Sequence, residues 1–157
     1  MSDDWINKII GSKRAKQEAS ESQSVVMAEQ AAIYSASADR FWADTIKDLA
    51  AMLKIYNQGV PDGFKVQFDT KGPGSFIVQT NTMPHSTLNL EFTRQAHAID
   101  RRQQIKHSGA SASEPKEDRF SIEVGADKQL HITKVSSGTM ITGTISEILL
   151  KPFLDAL

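Results

Sequence analysis

No cysteine occurs in the 157 residues of this chain. Disulfides, thiolate nucleophiles and thiolate zinc sites are excluded together, and the redox compartment is left undetermined. No apolar run approaches the roughly 18 residues of a membrane-spanning helix. The opening MSDDWINKII is acidic first and holds only a short apolar patch, unlike the basic start and long apolar core of a signal peptide. The expectation is a cytoplasmic protein. An excess of charge of either sign is missing too: 18 basic and 19 acidic residues leave a net charge of −1. Such a balance creates no general field for nucleic acid or an anionic membrane, so binding of that kind has to rest on a local cluster.

Proline and glycine are missing from Ala28 to Asn57, which permits an uninterrupted helix there. Within it, Trp42, Ile46, Leu49, Leu53 and Tyr56 recur at spacings of four and three, flanked by Phe41, Met52 and Ile55, while Asp44, Lys47, Asp48 and Lys54 lie opposite. A helix with one apolar face needs a surface to lie on. Upstream, Ser2 is placed to cap an earlier helix whose first turn holds Asp3 and Asp4, and Trp5, Ile6, Ile9 and Ile10 fall on one side of it. Gly11 and Ser12 interrupt that stripe, and KRAKQEASESQS has no apolar face until Val25, Val26 and Met27.

Length constrains this region. One helix from Ser2 to Asn57 would run about 85 Å at 1.5 Å per residue, whereas a compact chain of this size is about 40 Å across. The helix must therefore break, with Gly11 and Ser20 to Ser24 the expected places, or project and pair with another molecule. The small residues Ala36, Ser37 and Ala38 suit close approach of a neighbouring helix. The expected organisation is an amphipathic segment with a polar linker over residues 1–24 and a single α+β domain over 25–157.

Asn57, Gln58, Gly59, Pro61 and Gly63 terminate the helix, and the period then changes to two. Phe64, Val66 and Phe68 form one strand, and Lys71 to Gly74 a turn; Phe76 and Val78 form the next, followed by a turn around Met83, Pro84 and His85. Leu88, Leu90 and Phe92 make a third. Residues 94–106 have helical propensity, but Ile99 and Ile105 share one parity and a turn at Arg94 to Ala96 keeps the regular spacing, so a fourth strand is expected. A loop over 108–118 precedes strands carrying Phe120, Ile122 and Val124, then Leu130 and Ile132. In the closing TGTISEILLKPFLDAL, Thr144 and Glu147 have capping-box spacing, and Ile145, Ile148, Leu149 and Phe153 form an apolar face. Pro152 predicts a kink or restart. The fold class that follows is two-layer α+β, an antiparallel meander of five or six strands with a long N-terminal helix and a C-terminal helix on one face.

Chemistry is harder to find. The four histidines, His85, His97, His107 and His131, show no i, i+4 helical pairing that would suit zinc, and no GxxxxGK[ST], GxGxxG or GxSxG pattern occurs. No metal or cofactor is called for. The polar parity of the sheet gathers Glu91, His97, Glu123 and His131, and a curved sheet would line a ligand groove with them, with Glu91 and Glu123 as an acid/base pair. Arg94, Arg101, Arg102 and Lys106 form the strongest basic cluster, suited to phosphates, though no aromatic residue lies between Phe92 and Phe120 to stack a base. The segment DWINKIIGSKRAK joins Trp5, Ile6, Ile9 and Ile10 to Lys8, Lys13, Arg14 and Lys16, a pattern that docks on protein or lies on an anionic bilayer. Its apolar part spans barely two turns, too little to hold a membrane, so protein is the expected partner. The reading that follows is a non-enzymatic interaction or assembly module acting through the N-terminal helical region, with a homodimer among its forms. Small-ligand binding or catalysis on the polar sheet face, and polyanion binding through the arginine cluster, remain as alternatives.

Overall fold

The computed structural model describes residues 3–82, 84–106, 114–134 and 144–157. The expected Ser2 cap, Met83, His107 and most of the expected 108–118 loop lie outside them. The chain forms two units, one up to Ala36 and one from Ser37 to Leu157.

Helix α1 runs Asp4–Gly59. Its first hydrogen bond outside the assigned helix is donated by Asn7 N to Asp3 O at 3.0 Å. Neither Gly11 nor the serine-rich stretch interrupts it, so the expected break does not occur at either place. A single glycine costs a helix only about 1 kcal/mol relative to alanine. Between Gln17 and Ser24, side chains bond one turn away: Gln17 Nε2 donates to Glu21 Oε1 at 3.3 Å, and Ser24 Oγ to Ser20 O at 2.9 Å.

In the second unit α1 lies on a six-stranded sheet. Strands β1 (Val66–Thr70), β2 (Ser75–Thr80), β3 (His85–Thr93), β4 (Ala98–Lys106), β5 (Lys116–Val124) and β6 (Leu130–Lys134) pair in sequence order, every pair antiparallel. Helix α2 (Ile145–Asp155) closes the chain. This is the expected α+β meander, at six strands.

The core lies on one sheet face. From α1 it takes Ala38, Trp42, Thr45, Leu49 and Leu53, all buried at spacings of four and three. The sheet contributes Val66, Phe76, Val78, Leu88, Leu90, Ile99, Phe120, Ile122, Leu130 and Ile132. Trp42 stacks on Phe92 with ring centroids 5.4 Å apart, which ties the helix to β3. At its far end Asn57 clamps the start of β1, accepting from Val66 N and donating to Val66 O, both at 2.9 Å. The buried stripe of α1 is narrower than its apolar composition: Met52 and Ile55 are exposed, while Thr45 is buried because its hydroxyl donates to Phe41 O at 2.7 Å.

Local chemistry accounts for two further departures. Phe64 is not in β1; it ends a single 3-10 turn, Asp62–Phe64, and is exposed, its carbonyl accepting from Tyr56 Oη at 2.9 Å. Strand β5 begins at Lys116, four residues ahead of its first buried apolar residue, Phe120. There the strand is held by charges against β4, and a polar run of this kind carries no apolar parity to read.

The β1–β2 turn uses its glycines for two different reasons. Gly72 has φ +72°, in the left-handed region that other residues avoid. A Cβ on Gly74 would lie 2.8 Å from the backbone oxygen of Phe92, whose own N–H donates to Gly74 O at 2.7 Å.

In α2 the cap is as expected, with Thr144 Oγ1 accepting from Glu147 N at 3.2 Å. The expected restart at Pro152 does not occur, since α2 is one helix through that residue. Its buried face is Ser146, Leu149, Leu150 and Phe153; Ile145 and Ile148, expected on it, are only half-buried.

Candidate functional site

The expected partner-binding side chains are in the first unit. Trp5 is 61% exposed, Ile9 49%, and Ile6 and Ile10 are exposed too. A second apolar block follows at Val25, Val26 and Met27, which are 50% to 66% exposed. Scattered exposed apolar residues are ordinary, but two blocks of large side chains on one helix are not. Between the blocks, from Gly11 to Ser24, no residue is apolar and larger than alanine. The charges are sorted: from Trp5 to Gln17 every charged side chain is basic, and from Glu18 to Asp39 every one is acidic. Sequence reasoning assigned the second block to the folded body, because apolar residues ahead of an uninterrupted amphipathic helix look like its continuation. Its helical phase was the available signal: Val25 and Val26 fall off the stripe that Trp42 and Leu49 continue.

The four basic candidates do not gather into one surface. Arg94 stands in the turn between β3 and β4, 3.6 Å from Asp39. Arg101 and Arg102 are consecutive in β4, so their side chains leave opposite faces of the sheet. Arg102 is on the outer face, 3.5 Å from Glu117. Lys106 ends β4, exposed.

Arg101 is on the inner face and only 3% exposed. Its Nε donates to Leu149 O at 2.9 Å and an Nη to Gln103 Oε1 at 2.6 Å. Burial lowers its pKa, and the charge of Asp118 partly offsets that. Here the arginine joins β4 to α2 one residue from the turn that Pro152 deprives of a donor. Sequence reasoning took Arg101 for a surface cation. The parity it shares with Ile99 was the missed signal.

The polar-face candidates are dispersed as well. Glu91 is opposite Asp100, which is in turn opposite Arg119, while Glu123 lies four residues, roughly 13 Å, further along β5. The register thus keeps Glu91 and Glu123 from forming a carboxylate pair. Glu123 faces His131 across β5 and β6, but the His131 ring bonds to Asp127, Nε2 lying 2.9 and 3.0 Å from its two carboxylate oxygens. His97 closes the β3–β4 turn at φ 50°, and its carbonyl accepts from Ile122 N at 2.7 Å. His85 begins β3.

The outer face has a depression of about 670 Å³ over β2 to β5. Two pairs of its charges are engaged with one another. Arg119 makes a two-pronged contact with Asp100 at 2.7 and 3.0 Å and holds that carboxyl below its usual pKa, and Arg102 faces Glu117.

Among the described residues no group of three histidine, aspartate or glutamate side chains is placed to hold a metal ion, and no helix is long and apolar enough to cross a membrane. No family model, curated protein or solved structure matches the chain.

Proposed function

We propose that this protein is an assembly module: its N-terminal helix docks on another protein surface through the apolar blocks at Trp5–Ile10 and Val25–Met27, and it performs no chemistry of its own. The observation that carries this reading is the exposure of Trp5, Ile9, Val25 and Met27 on one helix. Each large apolar side chain covered by a partner is worth about 1.5 to 3 kcal/mol, and a docked helix supplies such anchors a turn apart. The second unit has its own covered core, and over its outer depression Arg119 is paired with Asp100 and Arg102 with Glu117.

The test compares the fluorescently labelled full chain with its Ile6→Asp/Ile9→Asp variant by sedimentation, both purified and in cell extract. Both positions are exposed, so the variant is expected to keep its melting temperature. The wild type is expected to sediment as a complex that the variant loses. Identical monomer sedimentation of the two in both settings would sink the reading.

A further inference from the structure

We infer that the second unit holds a binding site for a small organic carboxylate with an apolar body, whose carboxylate is received by Arg101 in a cavity between β5, β6 and α2. The cavity belongs wholly to that unit, so the inference is independent of docking by the first.

The strand register sets up an ion pair that is not made. Arg101 is directly opposite Asp118 across β4 and β5, so the two side chains share the inner face. The Asp118 carboxylate goes instead to Lys134 Nζ, at 3.2 Å, and acts on Arg101 only at longer range. Among the described residues no carboxylate is within ion-pair distance of the Arg101 guanidinium, and the residues outside them include no aspartate or glutamate. The acceptors that Arg101 does have, Leu149 O and Gln103 Oε1, are neutral and take two of its N–H groups, out of about five that a guanidinium carries. A buried cation without a counter-charge is costly, and an anion that joins it relieves the cost.

Arg101 lines a cavity of about 530 Å³, inside the range of roughly 300 to 1,000 Å³ found for small-ligand sites. Phe120 of β5 and Ile148 and Pro152 of α2 give it an apolar wall. Of the other charges around it, Lys134 is paired with Asp118, and Lys151 with Asp155 at 2.7 Å, while Glu147 is exposed. The buried charge left unmatched is therefore positive, and that selects an anion. A carboxylate fits the planar fork of the guanidinium, and its single charge suits a site that Asp118 and Glu147 border better than the double charge of a phosphate would. The apolar wall then receives the body of the molecule.

Octanoate is the probe, with octanamide as its neutral counterpart. Each is titrated into the full chain and followed by calorimetry and by the NMR signals of the Arg101 Nε–H and the Ile148 methyl groups. Octanoate is expected to bind saturably with a Kd below about 1 mM, octanamide about tenfold or more weakly, and octanoate to move both signals. Ile148→Trp fills the cavity from a half-buried position and is expected to abolish octanoate binding while the melting temperature is kept. Lack of saturable octanoate binding below about 10 mM would overturn the inference, and so would equal affinity for acid and amide. Unchanged affinity in Ile148→Trp, or signals that move only in the first unit, would place the probe on exposed residues such as Trp5 and overturn it as well.

Discussion

Trp5 and Trp42 stand on one helix, and their surroundings could hardly differ more: the first is 61% exposed and the second 3%. Both belong to apolar stripes of similar composition. The stripe at Trp42 meets β3 and its neighbours in the same unit, whereas the one at Trp5 is left exposed among the described residues of its own unit. Amphipathicity states that a helix face needs cover and is silent on whether the cover comes from the same chain. The comparison teaches that an apolar helix face is a demand, one that the sheet meets for the Trp42 segment within its own unit.

The comparison can be broken most sharply by truncating one large side chain in each segment. Leu49→Ala removes a side chain with no exposure and is expected to cost about 2 to 5 kcal/mol in urea unfolding. Ile9→Ala, measured on dilute protein, is expected to stay within about 0.5 kcal/mol of the wild type. Equal losses would mean that the two segments share one core.

The same contrast recurs within β4, between consecutive arginines. Arg101→Ala strands the Leu149 carbonyl and the Gln103 side chain in the interior and is expected to cost about 2 to 4 kcal/mol. Arg101→Lys would rescue little, because an ammonium cannot reproduce the forked contact. Arg102→Ala removes a half-exposed ion pair and is expected to cost at most about 1 kcal/mol by the same urea assay.

A smaller effect belongs to the helix that completes the core. Thr144→Ala deletes the acceptor for Glu147 N and is expected to lower stability by about 1 kcal/mol, read as a drop in melting temperature. No change would mean that water replaces the cap at no cost.

The smallest expected effect is a pH dependence on the outer face. Arg119 holds the Asp100 carboxyl below its ordinary value, so the contact stabilises the folded state above about pH 4 and is lost as pH falls through the lower folded value. The urea midpoint of the wild type should therefore exceed that of Asp100→Asn at neutral pH, and the two should converge in acid. A gap unchanged down to pH 2 would show that the carboxylate charge contributes nothing.

Much of this architecture was legible before any coordinates. Alternating Leu88, Leu90 and Phe92 and the shared parity of Ile99 and Ile105 mark strands, because a half-buried sheet imposes a period of two. The Thr144 cap and the glycine and proline terminator at Gly59 are local chemistry, readable from neighbours in sequence. The start of β5 was not legible, since Glu117 and Arg119 are held by partners on β4 and leave no apolar signal. Nor was the partner of Arg101, a carbonyl of α2 distant in sequence, although the parity shared with Ile99 pointed that arginine inward.

By itself the amino-acid sequence determined the succession of helices and strands, the polarity of each face and the sorted charges of the first helix. These follow from side-chain spacing along a backbone of known period. Only tertiary structure decided which faces were covered, that a carbonyl of α2 received Arg101, and that Glu91 and Glu123 lay apart. Those outcomes depend on strand register and on contacts between distant segments, which no local pattern encodes.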